Sequence, residues 1–117
     1  MVHLNNKLDI PIFAKTYELY KLFYRYQKNI PKTDRFTLWQ KNLNILLATL
    51  EIFFLVAHLP KEEKNINLKK ASVNLDLLRV FIRLAYETKA LDLKKYVQLR
   101  ESIDEIGRML GGWLKTF

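Results

Sequence analysis

Large apolar residues recur along most of the chain at spacings of three and four residues, which is the period of one helix face. The most regular stripe has spacings of 3, 4, 3, 4, 3 and 4 and consists of Tyr96, Leu99, Ile103, Ile106, Leu110, Trp113 and Phe117. Such a stripe requires a partner helix, because alone it would expose seven large side chains to water. The pattern therefore predicts a packed helical protein.

Four helices account for the apolar pattern, over residues 12–29, 34–59, 67–89 and 92–116. Prolines 31 and 60 mark the first two helix ends, and residues 61–67 read as a charged connection. The predicted helix caps are Thr33 or Asp34, Asn65 or Asn67, and Asp92. Because the connections are short, we expect one all-α domain over residues 1–117, folded as an antiparallel up-down-up-down four-helix bundle.

The second helix is apolar nearly all round from Ile45 to Leu59, so we expect it to be the most buried element. Asn44, Glu51 and His58 interrupt its apolar run, which is also shorter than a bilayer span. Residues 1–10 lack the apolar core of a secretory signal. We therefore expect a cytoplasmic protein without a membrane partner. Cysteine is absent, which excludes disulfides and thiolate metal sites.

The titratable residues form no catalytic or metal-binding constellation. His3 and His58 are far apart in sequence, and no metal-ligand spacing of histidines and carboxylates occurs. Glu51 is a single carboxylate in an apolar helix, and one acid without a partner is weak support for acid–base chemistry. Three roles are open to it: pairing with a basic residue on a neighbouring helix, facing a pore or a subunit boundary, or lining a small-ligand site. We expect no enzyme activity, no catalytic residues, no metal and no cofactor.

Basic residues exceed acidic ones by 20 to 12, giving a net charge of +8. Residues 1–64 and residues 65–117 each hold ten Lys/Arg and six Asp/Glu, so neither half is a basic tail. A folded surface with surplus positive charge favours a polyanionic partner such as nucleic acid. The candidate contacts are Arg79, Arg83, Lys69, Lys70, Lys94, Lys95 and Arg100.

Each candidate contact also has a structural alternative. Arg79 and Arg83 lie four residues apart on one helix face and can hold phosphates, or can pair with Asp76 and Glu87. Arg108 is expected to pair with Asp104.

Two other groups of side chains allow a nucleic-acid role. Lys94 and Lys95 oppose the dipole of the fourth helix, which indicates a role other than stability unless they are simply solvated. The tyrosines of the first helix can stack on bases, but their spacing favours the core; they are Tyr17, Tyr20, Tyr24 and Tyr26.

Four segments carry a family resemblance: Pro31–Lys32, Arg35–Leu38, Ala71–Arg79 and Ile106–Lys115. In order and spacing they resemble the accessory variability determinant (Avd) family of diversity-generating retroelements, over roughly residues 12–116. The family is similar in turn to four-helix proteins encoded by intervening sequences in bacterial rRNA genes. The segment Leu46–Glu51 lacks the proline-containing pattern of those proteins and favours the Avd branch.

The resemblance implies a non-catalytic four-helix bundle that assembles into a basic homopentameric barrel. It also implies binding to the element's reverse transcriptase, to template RNA and to DNA, in support of mutagenic retrohoming. An alternative is a scaffold of the rRNA intervening-sequence type with no nucleic-acid role. Arg79 and Arg83 match basic positions of the family. The C-terminal motif is assigned to packing through Gly107, Arg108, Gly111, Gly112 and Trp113.

Two features of the motif regions bear on packing. Gly107 and Gly111 lie four residues apart, so we expect them to let another backbone approach the helix. Trp39 departs from the family pattern, in which a small residue is expected, and an indole there is expected to alter helix packing or a subunit contact.

Overall fold

The computed structural model describes residues 9–116, and all regular structure in that range is helical. The all-α prediction is therefore confirmed, whereas the predicted positions of His3 and Phe117 lie outside the described residues. The elements are α1 (Asp9–Tyr26), a 3₁₀ turn (Gln27–Asn29), α2 (Lys32–Arg35), α3 (Leu38–Val56), α4 (Lys61–Glu87) and α5 (Leu93–Leu114).

Four long helices enclose a single apolar core. Helix α1 packs against α3 and α5, and α4 packs against the same two helices. The inward face of α5 is the stripe that the sequence predicts, with buried side chains at Leu99, Ile103, Ile106, Leu110 and Trp113. Each helix thus contributes one apolar face to a bundle, and burial of these faces supplies most of the driving force for folding.

The predicted second helix, 34–59, is divided in the structure. Helix α2 is a single turn, and the chain bends at Thr37 (φ −115°, ψ −96°) before α3 begins at Leu38. The bend accompanies burial of Trp39, whose ring centroid lies 5.0 Å from that of Phe23. The Trp39 Nε1–H donates a 3.0 Å hydrogen bond to the Phe23 carbonyl. Trp39 therefore anchors α3 to α1.

Helix α4 begins six residues earlier than predicted, because residues 61–67 are helical rather than a connection. Pro60 is extended (φ −61°, ψ 156°) and precedes the first turn, where Glu62 and Glu63 complement the positive end of the helix dipole. Asn67 does not cap the helix; its side-chain amide donates to the Glu63 carbonyl at 2.8 Å. The assignment of Asn65 or Asn67 as the cap was wrong.

Helices α3 and α4 are only half covered in the single chain. The outward face of α3 exposes Leu47, Phe54 and Leu55 by 42–48%. Among the described residues α3 nevertheless has more buried side chains than any other helix, so the expectation that it is the most buried element is confirmed. On α4 the exposed apolar residues follow spacings of 7, 4, 3 and 4 and are Ile66, Val73, Leu77, Val80 and Leu84. Both helices therefore carry a second apolar face directed away from the core. No helix within residues 9–116 is long and apolar enough to cross a membrane.

Candidate nucleic-acid interface

Three of the predicted lysine contacts are solvated. Lys69 and Lys70 lie on the exposed side of α4, and Lys94 lies in the first turn of α5. Among the described residues none of the three ammonium groups has a carboxylate within 4.0 Å. These positive charges are therefore available to an anionic partner.

Arg79 is held inside a network between α4 and α5. Its Nε donates to Asp104 Oδ1 at 2.8 Å and its Nη1 donates to Asp76 Oδ1 at 2.7 Å. Asp104 also accepts from Arg100 Nε at 3.3 Å. The Arg79 side chain is only 25% exposed. Arg79 is therefore paired with acidic residues, which was the structural alternative to phosphate binding. Arg100 binds the same Asp104 carboxylate.

Gly107 makes room for the Arg79 guanidinium. A methyl group at Gly107 would lie 2.6 Å from Arg79 Nη2, whereas one at Gly111 or Gly112 would meet no atom within 4 Å. The expectation that Gly107 and Gly111 admit another backbone is therefore wrong within the described chain. The space at Gly107 is used by a charged side chain of α4.

The remaining residues of the C-terminal motif lie on opposite sides of α5. Trp113 is 1% exposed, and its ring centroid lies 6.4 Å from that of Phe53, so its indole packs in the core. Arg108 is exposed, and within the described part of the chain it forms no ion pair. The predicted pairing of Arg108 with Asp104 is wrong, because Arg79 and Arg100 occupy that carboxylate.

Arg83 pairs with Glu87 at 3.0 Å, as its structural alternative requires. Both side chains are more than half exposed, and such surface pairs contribute only about 0–1 kcal/mol. A phosphate can therefore replace Glu87 at little cost. Arg83 stays a candidate contact although it is paired.

Lys95 stabilises the start of α5. The Asp92 side chain accepts a 2.8 Å hydrogen bond from the Lys95 backbone N–H, which confirms Asp92 as the helix cap. The Lys95 ammonium also binds Asp92 at 2.8 Å. These hydrogen bonds lower the pKa of the Asp92 carboxyl below its ordinary value. The interpretation that both first-turn lysines serve something other than stability is wrong for Lys95.

A further basic cluster on α1 and α2 was not among the predicted contacts. Residues 11–41 hold seven Lys/Arg and two Asp/Glu, so they carry 7 − 2 = +5 of the net charge of +8. Arg25, Lys28 and Arg35 line one open cleft there, together with Tyr24 and Gln27. The two halves of the sequence contain equal numbers of basic and of acidic residues, but residues 19–33 contain four Lys/Arg and no acid. This local excess of basic residues is the sequence signal that could have indicated the cluster.

Glu51 lies on the outward face of α3. It borders an open apolar depression that is also lined by Phe13, Leu50, Phe54 and Leu55. Glu51 therefore lies at an open, mostly apolar surface rather than in a buried polar pocket. Within residues 9–116 no group of three or more His, Asp or Glu side chains is arranged to hold a metal ion.

Asp104 offers a test of the network between α4 and α5. Burial raises the pKa of its carboxyl, but hydrogen bonds from Arg79 and Arg100 outweigh burial and hold the pKa below its ordinary value of 3.8. We expect Asp104→Asn to lower the free energy of unfolding by about 1–2 kcal/mol at neutral pH, since Arg79 keeps only one acid partner. The matched variant Asp76→Asn removes the more exposed carboxylate and should cost less.

The pH dependence follows from the lowered pKa. The unfolded chain takes up the Asp104 proton first as the pH falls, so the stabilisation is complete above the ordinary pKa and is lost through the lower folded-state pKa. Urea unfolding of the wild type and Asp104→Asn should therefore give converging stabilities in acid. A constant difference at all pH values would show that the charge of Asp104 does not stabilise the fold.

The sequence matches the model of a protein family described as bAvd-like over residues 11–117. No curated protein matches the chain significantly. The match covers all four long helices apart from the first residues of α1.

Proposed function

Because this chain belongs to the bAvd-like family, we propose that it is a non-enzymatic accessory protein of a diversity-generating retroelement. In this role it binds the reverse transcriptase, the template RNA and the DNA copied from it, and it supports mutagenic retrohoming in the cytoplasm. The observation that carries the proposal is the family match over residues 11–117. The uncompensated positive charge of the surface supports it.

The nucleic-acid contact is assigned to the start of α5 and to the basic edges of the outward apolar face of α4, which stay accessible at the rim when that face is covered. Lys69, Lys70 and Lys94 are exposed and unpaired among the described residues, and Arg83 has only a solvated partner. Lys69 and Arg83 are fourteen residues apart, which places them within about 40° on one helix face and about 21 Å apart along it. That spacing suits a polyanion running along α4. Three of the predicted contacts are already in ion pairs and add positive charge near this surface without being free to bind: Arg79, Lys95 and Arg100.

We further propose that the chains form a homo-oligomer, with the pentamer favoured by the family resemblance and each subunit an up-down-up-down bundle. The outward apolar faces of α3 and α4 support association, because monomeric proteins rarely expose large contiguous apolar patches. Covering these faces places Glu51 at a subunit boundary. Repetition of the subunit multiplies the net charge of +8 and strengthens the attraction to RNA.

In this scheme the polymerase carries out the chemistry and the accessory protein supplies binding. An RNA held along several basic subunits is presented to a polymerase bound to the same oligomer. Binding of the RNA or of the polymerase then raises the local concentration of the other partner at the oligomer. The protein therefore acts through position and charge, and needs no reacting group of its own.

The RNA contact can be tested with the triple variant Lys69→Ala, Lys70→Ala, Arg83→Ala. Loss of three phosphate contacts per subunit should weaken template RNA binding by roughly tenfold or more, and should reduce the slope of log K against log salt by about 0.7–0.9 per lost contact. Fluorescence anisotropy with labelled template RNA at several salt concentrations measures both quantities. Arg79 is left unchanged because it belongs to the α4–α5 network.

The matched control removes three exposed lysines outside α4, in Lys32→Ala, Lys41→Ala, Lys115→Ala. It has the same net charge as the test variant, so it should lose less affinity if the α4 surface is the contact. Equal losses would refute that assignment. Absence of RNA binding by the wild type at low salt would refute the nucleic-acid role and favour a scaffold of the rRNA intervening-sequence type. Co-purification of each variant with the reverse transcriptase reports the second partner separately.

A further inference from the structure

Two tyrosines of α1 face solvent although their spacing predicted a core position. Tyr17 is 51% exposed and Tyr24 is 61% exposed. They lie seven residues apart, which is close to two helical turns, so they share one face at a separation of about 10.5 Å along the axis. Lys21 lies between them on the same face. The core assignment is therefore wrong for these two rings, and their exposure requires another explanation.

The surroundings of Tyr24 are positively charged. Its ring lines a cleft of about 440 Å³ with Arg25, Gln27, Lys28 and Arg35, and no acidic residue lines that cleft. Among the described residues, neither Arg25 nor Lys28 has a carboxylate within 4.0 Å. The cleft therefore combines an exposed aromatic face with unneutralised positive charge.

Arg35 fixes the shape of the cleft. Its Nε and Nη2 donate to the Ile30 carbonyl at 3.2 and 3.0 Å, and Nη2 also approaches the Lys28 carbonyl at 3.4 Å. These hydrogen bonds tie α2 to the end of the 3₁₀ turn and satisfy backbone carbonyls. They leave the positive charge of Arg35 at the cleft, because carbonyl acceptors carry no net charge. The part of the cleft that Arg35 lines is thus preformed and basic.

The acids nearest in sequence do not neutralise the cleft. Glu18 binds Lys21 at 3.0 Å, and Asp34 is the acceptor for the Thr33 hydroxyl at 3.3 Å. The Lys21 ammonium also lies 5.6 Å from the Tyr17 ring centroid, so the Tyr17 face is partly occupied by a cation. Tyr24 is the more open of the two rings. It is therefore the better stacking platform.

We propose that the Tyr24 cleft binds unpaired nucleotides of single-stranded nucleic acid, with one base stacked on Tyr24 and the flanking phosphates held by Arg25 and Lys28. The inference rests on the proposed RNA-binding function and assigns its single-strand contact to a surface distinct from α4. Base–aromatic stacking requires a base face that is free, and a base inside a duplex has none. Duplex segments should contact the cleft through phosphates only. The ring is what distinguishes this site from a purely electrostatic patch.

The test compares two RNA probes with the same number of phosphates, an oligouridylate and a self-complementary duplex, each labelled with a fluorophore. In Tyr24→Ala, affinity for the oligouridylate should fall by roughly tenfold or more, the range of fold-changes seen when one stacking ring is removed. Affinity for the duplex should stay within about twofold, because no charge is lost. Tyr24→Phe keeps the ring and should bind both probes like the wild type.

Several outcomes would overturn the inference. Unchanged oligouridylate binding by Tyr24→Ala would do so, as would an equal loss on the duplex or a loss in Tyr24→Phe. A changed oligomer mass of Tyr24→Ala would instead assign the ring to a protein contact, and thermal melting checks that this exposed substitution leaves the fold intact. If the wild type binds neither probe, the proposed RNA-binding function fails as well. If it binds RNA and Tyr24→Ala has no effect, only the single-strand site fails.

Discussion

Replacement of Leu110 by aspartate should leave the chain unfolded. Leu110 is 1% exposed in the centre of the α5 stripe. Loss of a buried leucine side chain costs about 2–5 kcal/mol, and burial of an unpaired carboxylate adds several more. Together these terms approach or exceed the whole stability of a typical domain, about 5–15 kcal/mol. Trp113→Asp should have the same effect, because Trp113 is buried equally.

Far-UV circular dichroism and thermal melting measure this outcome directly. The matched control is Val97→Asp, which makes a similar apolar-to-acid change on the same helix at a position that is 43% exposed. It should melt within a few degrees of the wild type, since surface substitutions usually change stability by less than about 0.5 kcal/mol. A cooperative melt of Leu110→Asp near that of Val97→Asp would show that the stripe does not hold the bundle together.

The double variant Val73→Asp, Val80→Asp should convert the oligomer into folded monomers. Both side chains are 58% exposed on the outward face of α4, so the change costs the isolated subunit little. In an oligomer the same positions become buried, and two carboxylates per subunit would then be desolvated without partners. We therefore expect an unchanged helical circular dichroism spectrum together with loss of the assembled species.

Light scattering coupled to size-exclusion chromatography gives the required mass. Val97→Asp is again the control, because its only apolar neighbour on the outward face of α5 is Leu93, and the face continues with the polar residues Glu101, Asp104 and Arg108. It should keep the wild-type mass. An assembled double variant would exclude this face of α4 from the subunit contact, and a monomeric wild type would refute the oligomer altogether.

The helical pattern and the cap of α5 could be predicted because they depend on neighbouring residues. The α5 stripe needs only a period of 3.6 residues, and the Asp92 cap needs only one backbone N–H three residues away. The motif Ile106–Lys115 likewise indicated the family, which the match over residues 11–117 establishes. Features that depend only on nearby residues can be predicted without knowledge of the three-dimensional packing.

The division of the predicted second helix depended on a long-range contact. The bend before Leu38 goes with a hydrogen bond from Trp39 to the Phe23 carbonyl, sixteen residues earlier in the chain. The indole was recognised as unusual, but its partner could not be identified from spacing. The start of α4 at Lys61 escaped prediction for a different reason, since a charged segment is compatible with either a solvated helix or a loop.

The pairing of the basic residues also required the fold. Asp104 lies 25 residues from Arg79, so helical spacing gave it to Arg108 instead. The role of Gly107 depends on the same network, because the Arg79 guanidinium of α4 occupies the space that a side chain at Gly107 would take. The sequence likewise does not show on which side of the bundle Tyr17 and Tyr24 lie. Spacing shows that residues share a face, but packing decides which face is covered.

The most direct test of the account is the affinity of the wild-type protein for template RNA as a function of salt concentration. Fluorescence anisotropy with the full chain should show strong binding at low salt and a linear fall of log K with log salt, at a slope of about −0.7 to −0.9 for each neutralised phosphate. Several contacts per subunit predict a slope of several units. Absence of binding at low salt, or an affinity that does not change with salt, would contradict the claim that uncompensated surface charge recruits RNA.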